Sequence, residues 1–177
     1  VMNRIRAQKL RNSEEDKVKI FFVPSYLNGD DGVFNMPYYD LLVGMDLTAF
    51  PSYYEPWGYT PLESLAFKVP TITTTLAGFG LWVKEHYNMN HPGIEVIHRE
   101  DGDASNVATA IAEWVKNYTQ VGETEMQKDR DNAKDVSRIA LWDNLINYYK
   151  QAYTIALNQV SVQIGRASCR ERVFGYV

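Results

Sequence analysis

Apolar and polar positions divide most of the chain into short apolar runs and longer periodic segments. The short runs are rich in β-branched and aromatic residues and end at turn residues, a pattern typical of buried parallel strands. They are Val18–Val23, Leu47–Phe50, Pro70–Thr74 and Ile94–Ile97. The periodic segments repeat apolar residues at the spacing of a helix, and we expect them to be helical. They are Met36–Gly44, Thr60–Lys68, Phe79–Tyr87 and Ser105–Tyr118.

The order of these segments predicts the fold class. Strands that alternate with helices at this spacing form open, doubly wound sheets. After the last strand only helices are expected, at Glu123–Ile139 and Trp142–Leu157. The chain is therefore predicted to be an α/β protein with a doubly wound, mostly parallel sheet followed by C-terminal helices.

Two helical segments near the ends of the chain add to this picture. Residues 1–12 have the apolar spacing of the last turns of an amphipathic helix, and we expect the chain to begin inside a longer protein. The helix Trp142–Leu157 has one broad apolar face. That face packs either on another body or back on the chain's own sheet, and the pattern does not separate the two.

Composition and charge narrow the possible partners. Apolar residues make up 45% of the chain and charged residues 23%, which excludes collagen-like, strongly disordered and disulfide-dense classes. The net charge is −4 and no long basic run is present, which argues against nucleic acid as a partner. No apolar run approaches the ~20 residues that cross a bilayer, so we expect no membrane partner and a cytoplasmic location.

Residues 161–177 differ from the rest of the chain. They hold three Arg, one Glu and the single cysteine, Cys169, and they continue no apolar periodicity. The stretch IGRASCRERV resembles translated sequencing-library adaptor, so we expect residues 1–160 to be the native domain and 161–177 to be a foreign tail. A natural basic tail is the alternative. In either case a lone cysteine forms no disulfide within the chain.

The segment after Leu47–Phe50 carries the candidate chemistry, because ligands of doubly wound sheets bind beyond the carboxyl ends of the strands. Thr60, Pro61 and Glu63 have the spacing of a capping box, with Thr60 at the N-cap and Glu63 reaching back to its amide. A helix start presents free N–H groups and the positive end of the helix dipole, which together suit a diphosphate.

Glu55 and Glu63 lie eight residues apart and bracket this predicted anion site. Because both are negative, their plausible use is to accept hydrogen bonds from sugar hydroxyls, which a nucleotide sugar supplies on both sides of its diphosphate. The alternative is that Glu63 only completes the cap and Glu55 is an exposed loop carboxylate. The spacing alone favours that alternative, since such pairs occur often by chance.

The residues around the two glutamates resemble the nucleotide-sugar segment of glycogen synthases of the animal and fungal type. The resemblance rests on the E-x7-E pair, on the run YYEPWGYTP, and on P-x-I-T-T-x-x-x-G-F-G from Pro70 to Gly80. Weaker similarity extends from Val18 to about Leu157. Members of this family are retaining glycosyltransferases of the two-domain GT-B class. The resemblance implies that residues 1–160 form the Rossmann-like, nucleotide-sugar-binding C-terminal domain of such an enzyme, truncated at its N-terminal side.

The resemblance also implies roles for individual residues. Glu55 matches the catalytic-centre glutamate beside the donor sugar, and Glu63 matches the one that binds the ribose hydroxyls. Tyr38 and Tyr26 match positions where an aromatic ring stacks on the uracil, and a place in the core is the alternative for Tyr38. The donor-binding set is completed by Trp57, Gly58, Tyr59, Thr60, Gly78, Phe79 and Gly80.

The resemblance also implies where two parts of the donor-binding set lie relative to the donor. Tyr59 and Thr60 fall where the family's helix N-terminus meets the diphosphate. The backbone N–H groups of Gly78, Phe79 and Gly80 are expected to approach the donor sugar closely. A plain strand-to-helix turn is the alternative for these three residues.

The implied reaction transfers glucose from a nucleotide diphosphate glucose, with UDP-glucose favoured, to the nonreducing end of an α-1,4-glucan with retention. Glu55 would position the sugar and support charge rather than act as a nucleophile, and catalysis would rest on stabilising the leaving diphosphate. The alternatives are another retaining GT-B transferase with a different acceptor and a glucan-associated domain that has lost turnover.

Departures from the family pattern limit what the resemblance implies. The family's Arg and Lys that clamp the diphosphate, and its glucan-binding N-terminal domain, would precede Val1, so we expect the chain alone to be inactive. Basic residues are sparse in the stretch 125–138, which favours a bacterial relative without sugar-phosphate activation. We expect no cofactor besides the donor and no metal, since His86, His91 and His98 lack zinc spacing. A homo-oligomer remains possible.

Overall fold

The computed structural model describes residues 1–88 and 93–173, with side chains up to residue 160. Within it the chain divides into two compact units, Val1–Asp46 and Leu47–Val177. The sequence predicts one domain over residues 1–160, followed by a foreign tail, and this domain assignment stays a prediction.

The first unit contains two short helices, α1 at Met2–Ala7 and α2 at Tyr38–Leu42. The expected strand Val18–Val23 is wrong, because this segment is irregular and pairs with no strand of the described chain. Its side chains Val18 and Phe21 are 59% and 62% exposed. An apolar run becomes a strand only where a neighbouring strand and a packed face are supplied, and the unit supplies neither here.

The second unit alternates strands and helices before ending in helices. Its elements are β1 Thr48–Ala49, α3 Tyr59–Ala66, β2 Thr71–Thr74, α4 Gly78–His86, β3 Ile94–Ile97, α5 Ala104–Tyr118, α6 Glu123–Arg138 and α7 Trp142–Val173. Apart from α7, each lies within about two residues of a predicted element. The 3.6-residue and two-residue periodicities of the sequence therefore located most elements of this unit.

The three strands form one parallel sheet in the order β1-β2-β3. Successive residues of β3 face opposite sides of the sheet, as the strand period of two requires. Ile94 and Val96 pack with α3, α4 and α6 around Phe79, whereas Ile97 packs with α5 around Val107. Helices cover both faces, which confirms the predicted α/β class with a parallel sheet and C-terminal helices.

The last helix, α7, is longer than the sequence predicts and continues through residues 158–173. Near its start, Tyr148 contacts Trp82 of α4 with ring centroids 5.3 Å apart. Further along, Tyr153 and Ile155 are about 60% exposed. The apolar face of α7 therefore packs on the chain at one end and is largely uncovered along the rest of its described side chains. No helix of the described residues is both long and apolar enough to span a bilayer.

Candidate functional site

The loops that follow the three strands meet at the carboxyl edge of the sheet and are joined by hydrogen bonds. The hydroxyl of Thr74 donates to the Ser52 carbonyl at 3.0 Å. The Arg99 amide donates to the Thr75 hydroxyl at 2.9 Å, and the Arg99 guanidinium donates to the Pro51 carbonyl at 2.7 Å. The edge where doubly wound folds bind ligands is therefore one connected surface, which we call the loop edge.

The loop after β1 is held in place by its backbone. The Glu55 amide donates to the Leu76 carbonyl at 3.0 Å, and the Gly78 amide returns a bond to the Glu55 carbonyl at 3.0 Å. The Phe79 amide donates to the Trp57 carbonyl at 2.6 Å. Residues 55–57 therefore lie alongside the start of α4 in a fixed register, and Glu55 sits on pinned backbone.

Glycines allow this close approach. A Cβ at Gly78 would lie 2.2 Å from the Pro56 carbonyl oxygen, and a Cβ at Gly80 would lie 2.4 Å from the Thr74 oxygen. Real Cβ atoms do not come so close, so both positions require glycine for packing. The N–H groups of Gly78 and Phe79, expected to face the donor sugar, are instead used to bind the loop. Both amides are therefore already bonded within the chain, and the approach of this turn to a donor sugar stays a prediction.

The start of α3 differs from the predicted capping box. Gly58 is the N-cap residue, with a left-handed φ of +105°, and no side chain caps the helix. Thr60 therefore lies inside the helix, and Glu63 does not reach back to the N-cap amide. The glycine turns the chain into the helix earlier than a threonine cap would. Pro61 becomes the third helical residue, where an amide needs no intrahelical partner.

Glu55 and Glu63 flank this helix start, one before it and one in its second turn. Both are partly buried, and the Glu55 Cγ lies 3.5 Å from the position of a Cβ at Gly58. Neither carboxylate forms an ion pair with a described residue. Glu55 thus lies beside the helix N-terminus, Glu63 lies one turn into the helix, and neither carboxylate is paired with a described cation.

The aromatic residues of the predicted donor set fall into different environments. Trp57 packs edge-on against Phe79, with ring centroids 5.8 Å apart, and also contacts Trp82. It belongs to the border of the core. Tyr59 is 69% exposed at the start of α3, and Thr60 beside it is also exposed. Of these residues, Tyr59 and Thr60 are exposed, whereas Trp57 is partly buried.

Tyr26 and Tyr38 belong to the first unit. Tyr26 is 93% exposed and lies in a loop, three residues beyond the segment Val18–Val23 that was expected to be a strand. Tyr38 opens α2, and its amide donates to the Leu27 carbonyl at 2.9 Å. Its ring is partly buried and lies 5.2 Å from that of Tyr39. Contact of either tyrosine with a nucleotide base stays a prediction.

Arg99 is a member of the edge to which the sequence analysis gave no role. It follows β3, is 4% exposed, and places its guanidinium carbon 3.6 Å from the ring centroid of Tyr53. A charged residue two positions after a buried strand, at the edge where doubly wound folds bind ligands, is a signal that the sequence contains. Its contact with the loop before Glu55 depends on the tertiary structure.

One carboxyl near the sheet has a shifted pKa. Burial raises the pKa of Glu95 on β3, and a hydrogen bond with Trp114 together with the charge of Lys84 only partly oppose this. Glu95 lies on the α5 side of the sheet and is not part of the loop edge. No group of three or more His, Cys, Asp or Glu in the described part of the chain is placed to hold a metal ion. His91 lies outside the described residues.

The fold and the edge together define a class of protein. A parallel α/β sheet whose carboxyl edge joins pinned loops, a glycine-started helix and partly buried carboxylates is a ligand-binding domain of the doubly wound kind. A family model described as glycogen synthase matches residues 1–168. The chain belongs to the glycogen synthase family.

Curated relatives agree with this family. The chain is 32% identical to a glycogen [starch] synthase of Caenorhabditis elegans over 94% of its length, and 32% identical to one of Neurospora crassa over 90%. The liver enzyme of Mus musculus is 29% identical over 90% of the chain. These alignments cover 25%, 23% and 23% of the relatives, so the chain spans about a quarter of their length.

Proposed function

We propose that the chain binds the nucleotide-sugar donor of a glycogen synthase, which transfers glucose from UDP-glucose to the nonreducing end of an α-1,4-glucan with retention. Membership of the family supports the class of reaction. The observation that carries the assignment of the site is the backbone pairing that fixes Glu55 between the starts of α3 and α4. The acceptor and the complete reaction are proposals about the full-length protein.

The diphosphate is proposed to lie at the start of α3. A Cβ at Gly58, the N-cap of α3, would lie 3.7 Å from the Cβ of Ala77, the N-cap of α4. The two helix starts are therefore neighbours beside Glu55. Because loop carbonyls already accept hydrogen bonds from the Gly78 and Phe79 amides of α4, the α3 dipole is the one proposed to favour the anion. Such preorganised dipoles favour the negative charge that develops on a leaving diphosphate. Tyr59 and Thr60, exposed at this point, are assigned to the diphosphate.

The two glutamates are assigned to the sugars on either side. Glu55 positions the donor glucose and supports the positive charge that develops at its anomeric carbon, and Glu63 accepts hydrogen bonds from the ribose. A covalent nucleophile would belong to a pair of carboxylates that flank the scissile bond, as in retaining glycoside hydrolases. We assign Glu55 no such role, because the second carboxylate, Glu63, is assigned to the ribose and so does not flank the scissile bond.

The remaining donor residues complete the proposal. Trp57, Gly58 and the turn from Gly78 to Gly80 form the wall behind the sugar, and Tyr38 with Tyr26 stack on the uracil. The donor is a substrate, and no further cofactor or metal takes part. We also propose that residues 1–160 belong to the C-terminal GT-B domain of a cytoplasmic bacterial relative.

The proposal is tested with the full-length protein, UDP-[14C]glucose and glycogen. Incorporation of label, with the α-anomer of the new linkage confirmed by amylase digestion, is the expected result. No incorporation from UDP-, ADP- or GDP-glucose would overturn the synthase assignment and leave a silent glucan-associated domain. Incorporation into another acceptor but not into glycogen would indicate a different retaining transferase.

Donor binding is measured separately by calorimetric titration of UDP, ADP and GDP into the same protein. Glu63→Ala is expected to weaken UDP binding by about tenfold or more, since a charge-assisted hydrogen bond contributes about 1.5–3 kcal/mol. Glu113→Ala is the matched control, because Glu113 is an exposed glutamate on α5, away from the loop edge. Equal binding by the two variants would remove Glu63 from the site.

A further inference from the structure

We propose that Arg99 is a positioning residue, which holds the loop before Glu55 in the position that the donor sugar requires. The inference rests on the role proposed for Glu55. It concerns a side chain that follows a different strand, β3, and acts on the reaction only through that loop.

The guanidinium of Arg99 contacts three consecutive residues of the loop. It donates to the Pro51 carbonyl at 2.7 Å and, at the long distance of 3.5 Å, to the Ser52 carbonyl. It also lies over the ring of Tyr53, 3.6 Å from the ring centroid. These residues immediately precede Tyr54 and Glu55, so a shift of the guanidinium displaces the segment that leads into Glu55.

The other end of Arg99 is fixed to the sheet. Its amide donates to the Thr75 hydroxyl at 2.9 Å, and the same hydroxyl lies 3.3 Å from the Arg99 carbonyl oxygen as a donor. Thr75 directly follows β2, and Arg99 lies two residues beyond β3. Arg99 therefore connects the rigid edge of two strands to the loop that follows the third.

Burial makes this arrangement costly for a residue with a purely packing role. Arg99 is 4% exposed, forms no ion pair with a described carboxylate, and has an Nε atom without a hydrogen-bond partner in the described chain. A buried charge of this kind is usually less favourable than an apolar residue of similar volume. Carbonyl dipoles and a π face stabilise it here, and both belong to the loop.

Arginine suits this position better than lysine. Its planar guanidinium can donate in its plane to the Pro51 carbonyl while its face covers the Tyr53 ring. A lysine ammonium offers point-like donors and cannot satisfy both contacts from one position. We therefore expect Arg99→Lys to retain part of the effect and Arg99→Met to lose it.

The experiment compares these two variants in the full-length protein by steady-state kinetics and hydrogen–deuterium exchange. For Arg99→Met we expect kcat to fall by about a hundredfold, the loss that a displacement of about 1 Å can cause, with KM for UDP-glucose within about twofold. We expect amides of residues 51–58 to exchange at least about tenfold faster, while those of α5 are unchanged. Arg99→Lys should be intermediate in both measurements.

Two controls separate positioning from general stability. Val107→Ala truncates a buried side chain of α5 that packs on the same sheet, and Arg138→Met makes the same substitution at an exposed arginine of α6. Both should leave exchange at residues 51–58 and kcat unchanged. If Val107→Ala reproduces the losses of Arg99→Met, or if Arg99→Met changes neither measurement, the proposal is overturned.

If Arg99→Met does not fold, Arg99→Lys and Tyr53→Leu decide the question, since Tyr53 is exposed and its loss removes only the stacking contact. Faster exchange at residues 51–58 with a lower kcat supports the proposal, and unchanged values overturn it. Glu55→Gln is measured alongside. If Arg99→Met loosens the loop while Glu55→Gln retains full turnover, the hold of Arg99 on the loop stands and the role proposed for Glu55 fails.

Discussion

At the residue scale, the loop edge depends on glycines, which have no side chain, as much as on residues that have one. Gly78 and Gly80 allow the loop after β1 and the end of β2 to contact the backbone of α4 directly, and Gly58 supplies the left-handed start of α3. The sequence motif G-F-G marked the first two positions. Glycine is required at these two positions because backbone packs closely against them.

Gly78→Ala should destabilise the chain because its Cβ would lie 2.2 Å from the Pro56 oxygen. Overpacking of this kind costs about 1–3 kcal/mol, which urea unfolding can measure as a lower midpoint. Gly44→Ala is the matched control, since a Cβ there is in ordinary contact, 3.4 Å from the Leu41 oxygen. A midpoint for Gly78→Ala equal to that of the control would contradict the packing argument.

Glu55→Gln should lower kcat of the full-length protein by about a hundredfold or more, because an amide cannot support developing positive charge as a carboxylate does. UDP affinity should change little, since the amide keeps the size of the side chain and the proposed contact is with the sugar. Turnover and calorimetric titration of UDP measure the two effects. Equal losses in both would show that Glu55 acts in binding.

Glu95→Gln should make the chain more stable at pH 7. The raised pKa means that the folded state binds the Glu95 proton more tightly than the unfolded chain does, so this group favours folding at low pH and opposes it as the pH rises. The stabilising effect of the amide should therefore shrink as the pH falls toward the ordinary value of 4.5. Urea unfolding at several pH values measures it, with Glu113→Gln on α5 expected to change nothing.

At the scale of elements, α3 links the core to the candidate site. Its N-terminus opens at the loop edge, and its C-terminal half packs against α6 and α4 through Leu65. Periodicity predicted this helix and its buried face. The predicted N-cap, Thr60, was wrong because a capping box forms only if the side chains have the right geometry. The helix begins instead after Gly58, whose backbone is left-handed.

Leu65→Ala should lower the free energy of unfolding by about 2–5 kcal/mol, since Leu65 is completely buried and its removal leaves a cavity. Leu81→Ala on α4 is the matched control, because Leu81 is about half exposed and its loss should cost far less. Both values come from urea unfolding followed by circular dichroism. Similar losses for the two leucines would place the core elsewhere.

At the scale of the whole molecule, the sheet joins two hydrophobic clusters. Phe79 and Val83 lie in the cluster on the side of α3, α4 and α6, and Val107 lies in the cluster beside α5. Each strand contributes side chains to one face or the other at alternate positions. The two faces therefore share one backbone framework.

We expect the two faces to unfold in a single transition, because small domains with a shared sheet unfold cooperatively. Trp114 reports on the α5 side, where it stacks on Tyr118 with centroids 5.0 Å apart, and Trp57 and Trp82 report on the other side. Fluorescence in urea should give equal midpoints for a Trp114→Phe variant and a Trp57→Phe/Trp82→Phe variant, each in a Trp142→Phe background. Separate midpoints, after correction for the stability of each variant, would show independent folding of the two sides.

The sequence by itself determined the α/β class, most elements after Leu47 and the segment that carries the candidate chemistry. It could do so because periodicity and turn residues are local properties. Tertiary structure decided that Val18–Val23 is not a strand, that the Gly78 and Phe79 amides donate to the loop after β1, and that Arg99 reaches Pro51 from the loop after β3. Those outcomes depend on which groups meet in space, since a backbone group or a buried cation takes the partner that the fold brings to it.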